Sequence, residues 1–579
     1  MNTIRSLCVL FLCVPTMSIA RTNRYAYDER PEANLVRTQA SYYQNFETPN
    51  YDIELENNGD QTTVADYAGN FTKTFGHDAT TSAPNTQGQA SYQTLVDAVQ
   101  NGLQATYNAI VRDAAATRKL VNPQASAAWS LAGRDSSLIP LALPPTLDSR
   151  HAACEMTEVY LQAICRDVAF DDYGTGMGTD VDSYNGGSIT ANAAAVLTAY
   201  GADYKGPKVG GVVTPAVLFR GTAAGCLVGP YISQFMWQTD YRLNQSLLKI
   251  KPYVPIASTR EFGVTWDNFL AIQNGAVPVP YSPSDFSTLR YVITGRDAGT
   301  WVHTDLPVDS YNTALNVLIN NGFPMASNLP YNTGAMPNED AFVTMGFADV
   351  SALIGNISVA ALKHAWAHKW RAARRLRPEA MAGLAHHAKV SGENPYGLNA
   401  DLFATLGGIN VMDWNNWRNQ QQLPSDPEND TYLLGLEYPE GSPTHPSYPA
   451  GHAVVAGACT AILKAFFDDQ ALFKDYLTPV KPNPADPTML VNLSGEGENS
   501  MTVGGELDKL ASNIALSRDF AGVHYRSDGD DGINLGEQVA IYYLQDWART
   551  YMEQDFAGFE LTKRDGTRIR INANDIFTI

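Results

Sequence analysis

The sequence predicts a mainly α-helical fold with minor β hairpins. Three observations carry that reading. From about residue 96 onward apolar residues recur at helical spacing, strand-like alternation is scarce, and proline-rich connections such as KPNPADP separate the periodic segments.

The chain begins with one basic residue, Arg5, then the apolar stretch LCVLFLCV and a small-residue ending at Ser18-Ile19-Ala20. Residues 1–20 therefore read as a secretory signal, with a mature protein expected outside the cell or in the cell wall. No later run approaches the roughly 20 apolar residues that span a bilayer, so no membrane partner is expected. Residues 21–95 are rich in Asn, Thr, Tyr, Gln and Asp without a sustained period, and read as an N-terminal arm or wrapping segment suited to a subunit contact. Residues 96–579 form one α-helical domain in this reading, with helical periods in YQTLVDAVQNGLQATYNAIV, SYNTALNVLINNGF, FADVSALIGNISVAALKHAWAHKW and LDKLASNIALSRDFAGVHY. Two stretches alternate like strands: VGGVVTPAV, and FELTKRDGTRIRI, which predicts a hairpin turning at Asp565-Gly566.

Bulk properties exclude several classes. A net charge of −20 argues against a nucleic-acid partner, because phosphate binding needs a basic face. Of six cysteines, Cys8 and Cys13 would leave with the signal. Cys154 and Cys165 fall on one predicted helix, about 16 Å apart at about 1.5 Å per residue, too far to bond to each other. The pairing of Cys154, Cys165, Cys226 and Cys459 stays open, and none has zinc-ligand spacing. DGDDG, residues 528–532, is not an EF-hand loop: aligning Gly532 with the required glycine puts Ser527 first and Gln538 last.

Chemistry concentrates in three segments. In HPSYPAGHAVVAGACTAILKAFF, from His445, the prolines hold an extended lead-in and the apolar run begins a buried helix. Gly451 and His452 then sit at a helix N-terminus, where free N–H groups and the macrodipole attract an anion. In KWRAARRLRPEA, five basic residues fall within nine. Pro378 is expected to end a helix there, leaving Arg377 at its C-terminus and Lys369 about two turns earlier, both within reach of one pocket. In SRDFAGVHYRSD, His524 and Asp528 are four apart. On a helix that spacing puts the carboxylate beside the imidazole, where it fixes the tautomer and leaves the other ring nitrogen bare.

The order Lys-x7-Arg-Pro, Pro-Ala-Gly-His, Ser-Arg-x5-His-x3-Asp resembles the signature of vanadium-dependent haloperoxidases and the related acid phosphatases. The eight-residue step from Lys369 to Arg377, rather than seven, resembles the algal bromoperoxidase branch, as do the blocks LFRGTAAGCLVGPYISQ, TWVHTD and AGVHY. The resemblance implies two helical bundles around one deep active-site pocket in a homo-oligomer, with one vanadate per subunit and hydrogen peroxide and halide as substrates. It implies that His524 binds vanadium, that Lys369, Arg377, Arg518 and Gly451 hold the vanadate oxygens, and that His452 is the acid/base. It likens His445 and Trp366 to a bromide-favouring halide pocket. A carboxylate should face His452, and Glu261, Asp297 and Asp305 compete for that place. Whether a structural divalent cation also binds is left open.

This chain departs from the family pattern at Ala450, where serine is usual. A lost hydroxyl donor to an anion is worth about 1.5–3 kcal/mol, so vanadate is expected to be held more weakly. Two other readings compete: a phosphatase working through a phosphohistidine at His524, and a scaffold whose site has decayed.

Overall fold

The computed structural model describes residues 35, 38, 55–182, 186–243, 245–248, 254–257, 260–281, 286–422 and 431–579. The signal segment 1–20 lies outside the described residues, as does most of the arm up to residue 54. Nine helices matter for the site: α1 (Thr86–Asn101), α2 (Arg150–Cys165), α3 (Gly295–Trp301), α4 (Asp309–Asn320), α5 (Phe347–Ala367), α6 (Pro378–Ser391), α7 (Gly451–Phe466), α8 (Val503–Phe520) and α9 (Arg526–Ala548). Strands occur as small antiparallel pairs and one three-stranded sheet, Phe559–Thr562, Arg568–Ile571 and Ile576–Thr578. The predicted turn at Asp565-Gly566 closes that sheet's first hairpin, with Gly566 at φ 84°. VGGVVTPAV forms no strand; its four hydrophobic–glycine residues make only an isolated Val209–Val212 bridge, because Gly210 and Gly211 both turn at positive φ.

Helix α7 is the axis of the core, packed against α5, α8 and α9. Every residue of α7 except His452 is buried. Its small residues explain how three helices fit around it. A Cβ on Gly457 would lie 2.0 Å from Ile533 O, and one on Gly536 would lie 1.9 Å from Val454 O. The α7 and α9 backbones therefore touch with no side chain between them. Gly536→Ala is expected to force them apart and destabilise the fold by about 1–3 kcal/mol, the usual cost of overpacking, measured as a lower midpoint in urea unfolding. Around α2 a second group gathers, including α6 and the helices Ile189–Ala199 and Ala400–Gly408. Cys154, Cys226 and Cys459 are buried free thiols. No described helix is long and apolar enough to cross a membrane.

Two local expectations about the basic segment are corrected. Proline does not end α5. The helix widens into a π turn over His368–Ala373, with Arg374 N bonding back to Lys369 O at 3.0 Å, and stops at Arg374 in the left-handed region (φ 40°). Pro378 instead opens α6 at its first position, where its missing N–H costs nothing, and Arg377 is the N-cap. Residues 70–75 lie along this turn. Asn70 bridges Arg375, Lys73 pairs with Glu379 at 2.5 Å, and Phe71, Phe75 and Trp370 share a small core with Tyr92 and Leu95 of α1.

Candidate active site

The site draws Arg377 from the N-cap of α6, Gly451 and His452 from the first turn of α7, Arg518 from the last turn of α8 and His524 from just before α9. A cavity of about 330 Å3 opens there, lined by Trp366, His445, Gly451, His452, Arg518 and His524 among others. Arg377 stands just behind the lining. Its guanidinium donates to His445 O (3.0 Å), Val523 O (2.8 Å) and two ring nitrogens, His524 Nε2 at 2.9 Å and His445 Nδ1 at 3.0 Å. Lys369 lies in the same buried layer and donates to Pro446 O and Ser447 O, both at 2.7 Å.

The tautomer of His524 follows from these partners. Arginine can only donate, so Nε2 must accept, and Nδ1–H must donate to Asp528 Oδ2 at 2.9 Å. Nε2 is thus unprotonated at the cavity wall, its lone pair shared for now with the Arg377 N–H. The pairing does not arise on one helix, as the four-residue spacing suggested. His524 precedes α9, and Asp528 occupies the third position of α9, where its carboxylate also accepts Tyr525 N at 3.1 Å. The helix start needs an acceptor, and the same oxygen reaches the preceding imidazole. Asp528 is further bound by Arg375 (2.9 Å) and by the Ser447 hydroxyl. Burial alone would raise its carboxyl, but Arg375 and His524 outweigh that and hold it well below the usual carboxylate range.

Of the three carboxylates competing for His452, Asp305 faces it. Asp305 Oδ1 lies 3.3 Å from His452 Nε2 and both its oxygens accept from Arg518, at 2.8 and 3.0 Å. Glu261 is taken by Arg166 and Arg296, and Asp297 by Arg290. Burial would raise the Asp305 carboxyl; Arg518 and His452 more than offset it, so it stays charged below the ordinary range. Burial and Arg518 lower the His452 pKa, keeping the ring neutral near pH 7. His445 is tilted against Trp366, with ring centroids 5.0 Å apart.

The site is short of negative charge. Burial, then the neighbouring Arg377, lowers Lys369 well below its ordinary value, and burial brings Arg377 down to about 10. Among the described residues neither cation has an acidic side chain within 4 Å; their donors end on carbonyls and imidazoles. Buried cations without counter-charge are costly, and an anion in the cavity would relieve both. Among the described residues no group of three His, Cys, Asp or Glu side chains could hold a metal cation. The donor set suits an oxyanion instead.

The VCPO second helical-bundle domain family matches residues 352–553, which span α5 through α9. A vanadium-dependent bromoperoxidase of Corallina pilulifera is 34% identical over 483 residues, 78% of this chain and 79% of the relative. The chain belongs to the vanadium-dependent bromoperoxidase family. The Ascophyllum nodosum vanadium-dependent bromoperoxidase is 33% identical over 465 residues, 80% of this chain and 79% of the relative. The homohexameric structure of the second vanadate-dependent bromoperoxidase of A. nodosum superposes with a TM-score of 0.81 at 25% identity, covering 100% of this chain and 96% of that one.

Within this bromoperoxidase fold, Ala450 is the N-cap of α7, buried, with no side-chain bond to the helix start. Its N–H instead bonds Asp528 O at 2.8 Å, tying the α7 entrance to α9. Sequence reasoning missed Arg375 and Ser447, which hold Asp528. Arg375 is one basic residue among five in KWRAARRLR, and nothing in that string says which face turns inward; the left-handed break at Arg374 decides it. Behind the cavity wall Glu437 accepts from Thr300 through Oε1 at 2.9 Å, and burial pushes its carboxyl up to about 8. A carboxyl raised in the folded state opposes folding once it must ionise. Stability should therefore fall as pH rises from about 4.5 toward 8, and Glu437→Gln should remove that slope in thermal unfolding scans across this range.

Proposed function

We propose that this protein is a vanadate-dependent haloperoxidase that oxidises bromide, and iodide, with hydrogen peroxide to hypohalous acid, which then halogenates organic acceptors. The observation that supports this most is the pair of buried cations, Lys369 and Arg377, with no acidic side chain within 4 Å among the described residues, beside the unprotonated Nε2 of His524. The relatives named above are bromoperoxidases, which points the same way. Lys369, Arg377, Arg518 and the Gly451 N–H would hold the vanadate oxygens, and His524 Nε2 would bind the vanadium. When bound, the group supplies a Lewis acid that activates peroxide without changing its own oxidation state.

The remaining chemistry belongs to the side chains. His452, its pKa lowered by burial and Arg518 and its Nε2 3.3 Å from Asp305, can accept the proton that peroxide sheds and return it to the departing oxygen. Arg518 holds Asp305 in place beside the imidazole. Trp366 and His445 form a polarizable, weakly polar wall on which a large halide would sit, and a bromide or iodide preference over chloride follows from that softness. We further read the protein as a homo-oligomer, exported to the cell exterior or wall.

One assay separates the readings. Purified protein is incubated with orthovanadate and tested for peroxide-dependent bromination of a phenolic dye, then tested without vanadate for phosphate-ester cleavage. Dye bromination is the expected result. Ester cleavage alone would make the protein a phosphatase with His524 as nucleophile, and inactivity in both would make it a scaffold.

A further inference from the structure

The cavity holds a second histidine–carboxylate pair that the proposed chemistry has not used. His303 Nε2 and Glu440 Oε1 are 2.7 Å apart, and about a quarter of each side chain is exposed (23% and 25%). Both line the same cavity as His452 and Asp305. One short stretch carries both pairs: after α3 ends, Val302 O accepts from Arg518 at 3.2 Å, His303 meets Glu440, and Asp305 meets Arg518 and His452. His303 is stacked on Tyr438, with centroids 3.9 Å apart and planes within 8°, and Tyr438 is anchored through its hydroxyl to Gly299 O at 2.6 Å. The imidazole is thus held in one orientation with its edge open to the cavity.

The reading above, on which this inference rests, requires one proton per turnover: hydrogen peroxide, halide and H⁺ give hypohalous acid and water. His452 can lend a proton but cannot generate one, and its surroundings, burial first and then Arg518, disfavour a standing positive charge. A supply from solvent is needed. We propose that His303 and Glu440 are the proton port of this cavity, taking protons from solvent and passing them across the cavity to His452. Glu440 stabilises the imidazolium; on transfer the His303 ring returns to neutral and His452 becomes the charged partner of Asp305. The groups facing His303 fit this. Tyr438 and Tyr281 (centroid 6.0 Å from His303) present ring surfaces, Arg118 bonds Glu440 O at 3.2 Å, and Asp305, Arg518 and His452 stand on the cavity side. The Glu440 carboxyl, which burial would raise, is instead held below its ordinary value, with His303 as the main cause. His303 acts through His452 and need not touch the reacting oxygen.

The test uses the full-length protein loaded with vanadate. In His303→Gln, whose amide N–H keeps a bond to Glu440 but which cannot take up a proton, kcat for bromide oxidation at neutral pH should fall about tenfold, and added imidazole should restore part of it. Vanadate affinity by equilibrium dialysis, without turnover, should stay within about twofold. In Glu440→Gln, which removes the carboxylate beside the imidazole, kcat at neutral pH should fall as well, and added imidazole should again restore part of it. Wild-type pH profiles in both variants would overturn the port, as would a parallel loss of vanadate binding and activity, which would make the pair structural. Failure of the wild-type protein to brominate would instead sink the haloperoxidase reading beneath it.

Discussion

Asp528→Asn is expected to weaken vanadate binding ten- to a hundredfold, on the order seen when the group behind a metal-bound histidine is lost, and to cost about 3 kcal/mol of stability. The affinity loss follows from donor counting. Asp528 Oδ2 accepts from His524 Nδ1, the Ser447 hydroxyl and Tyr525 N, while Oδ1 accepts from Arg375. An amide offers one oxygen. If that oxygen stays with Arg375, an NH2 group meets His524 Nδ1–H, and the ring must move its proton to Nε2. There the proton would oppose the Arg377 N–H now 2.9 Å away and would occupy the lone pair the vanadium needs. If the oxygen turns to His524, Arg375 loses a charged partner in a buried setting. Arg375 keeps Glu155 at 2.8 Å and its place over the Tyr525 ring, which is why the stability loss sits at the low end for a broken buried pair. Equilibrium dialysis against vanadate and urea unfolding measure the two effects. Unchanged affinity would mean that the imidazole is oriented by Arg377 and packing alone.

Ala450→Ser is expected to act in the opposite direction, tightening vanadate by roughly ten- to a hundredfold, which is about 1.5–3 kcal/mol for a hydrogen bond to a charged acceptor. Position 450 is the N-cap of α7, one residue before the Gly451 amide at the cavity wall, and no side chain caps that helix now. A serine hydroxyl there would serve either purpose. With an anion bound it donates to an oxygen; without one it accepts from the first turn and stabilises the helix by about 1 kcal/mol. Dialysis of the two proteins side by side decides the matter, and an equal or looser hold in the serine variant would show that the three cations already saturate the anion.

The fold and much of the site were legible in the sequence because their signals are local. Helical period marked α4, α5 and α8, and the switch from extended proline-rich chain to small apolar residues located the start of α7 at Gly451. The steric rule that ends helices before proline misled at Arg377, since a left-handed Arg374 had already closed α5 and proline was free to begin α6. Four-residue spacing at His524 and Asp528 gave the right neighbours for the wrong reason, a helix cap instead of a helix face. The partner of His452 was illegible. Asp305 is 147 residues away, and its selection over Glu261 and Asp297 depends on which arginines those two had already met.

The wide turn over His368–Ala373 gives the spacing of this segment a meaning of its own. A π turn takes in an extra residue without lengthening the helix by a full step, so one amino acid can be gained between lysine and arginine while both charges keep their station. An insertion at such a place is absorbed as girth. Chains that count seven there and chains that count eight can cradle the same ion, and the tally of letters between two charges is a poor ruler for the distance between them.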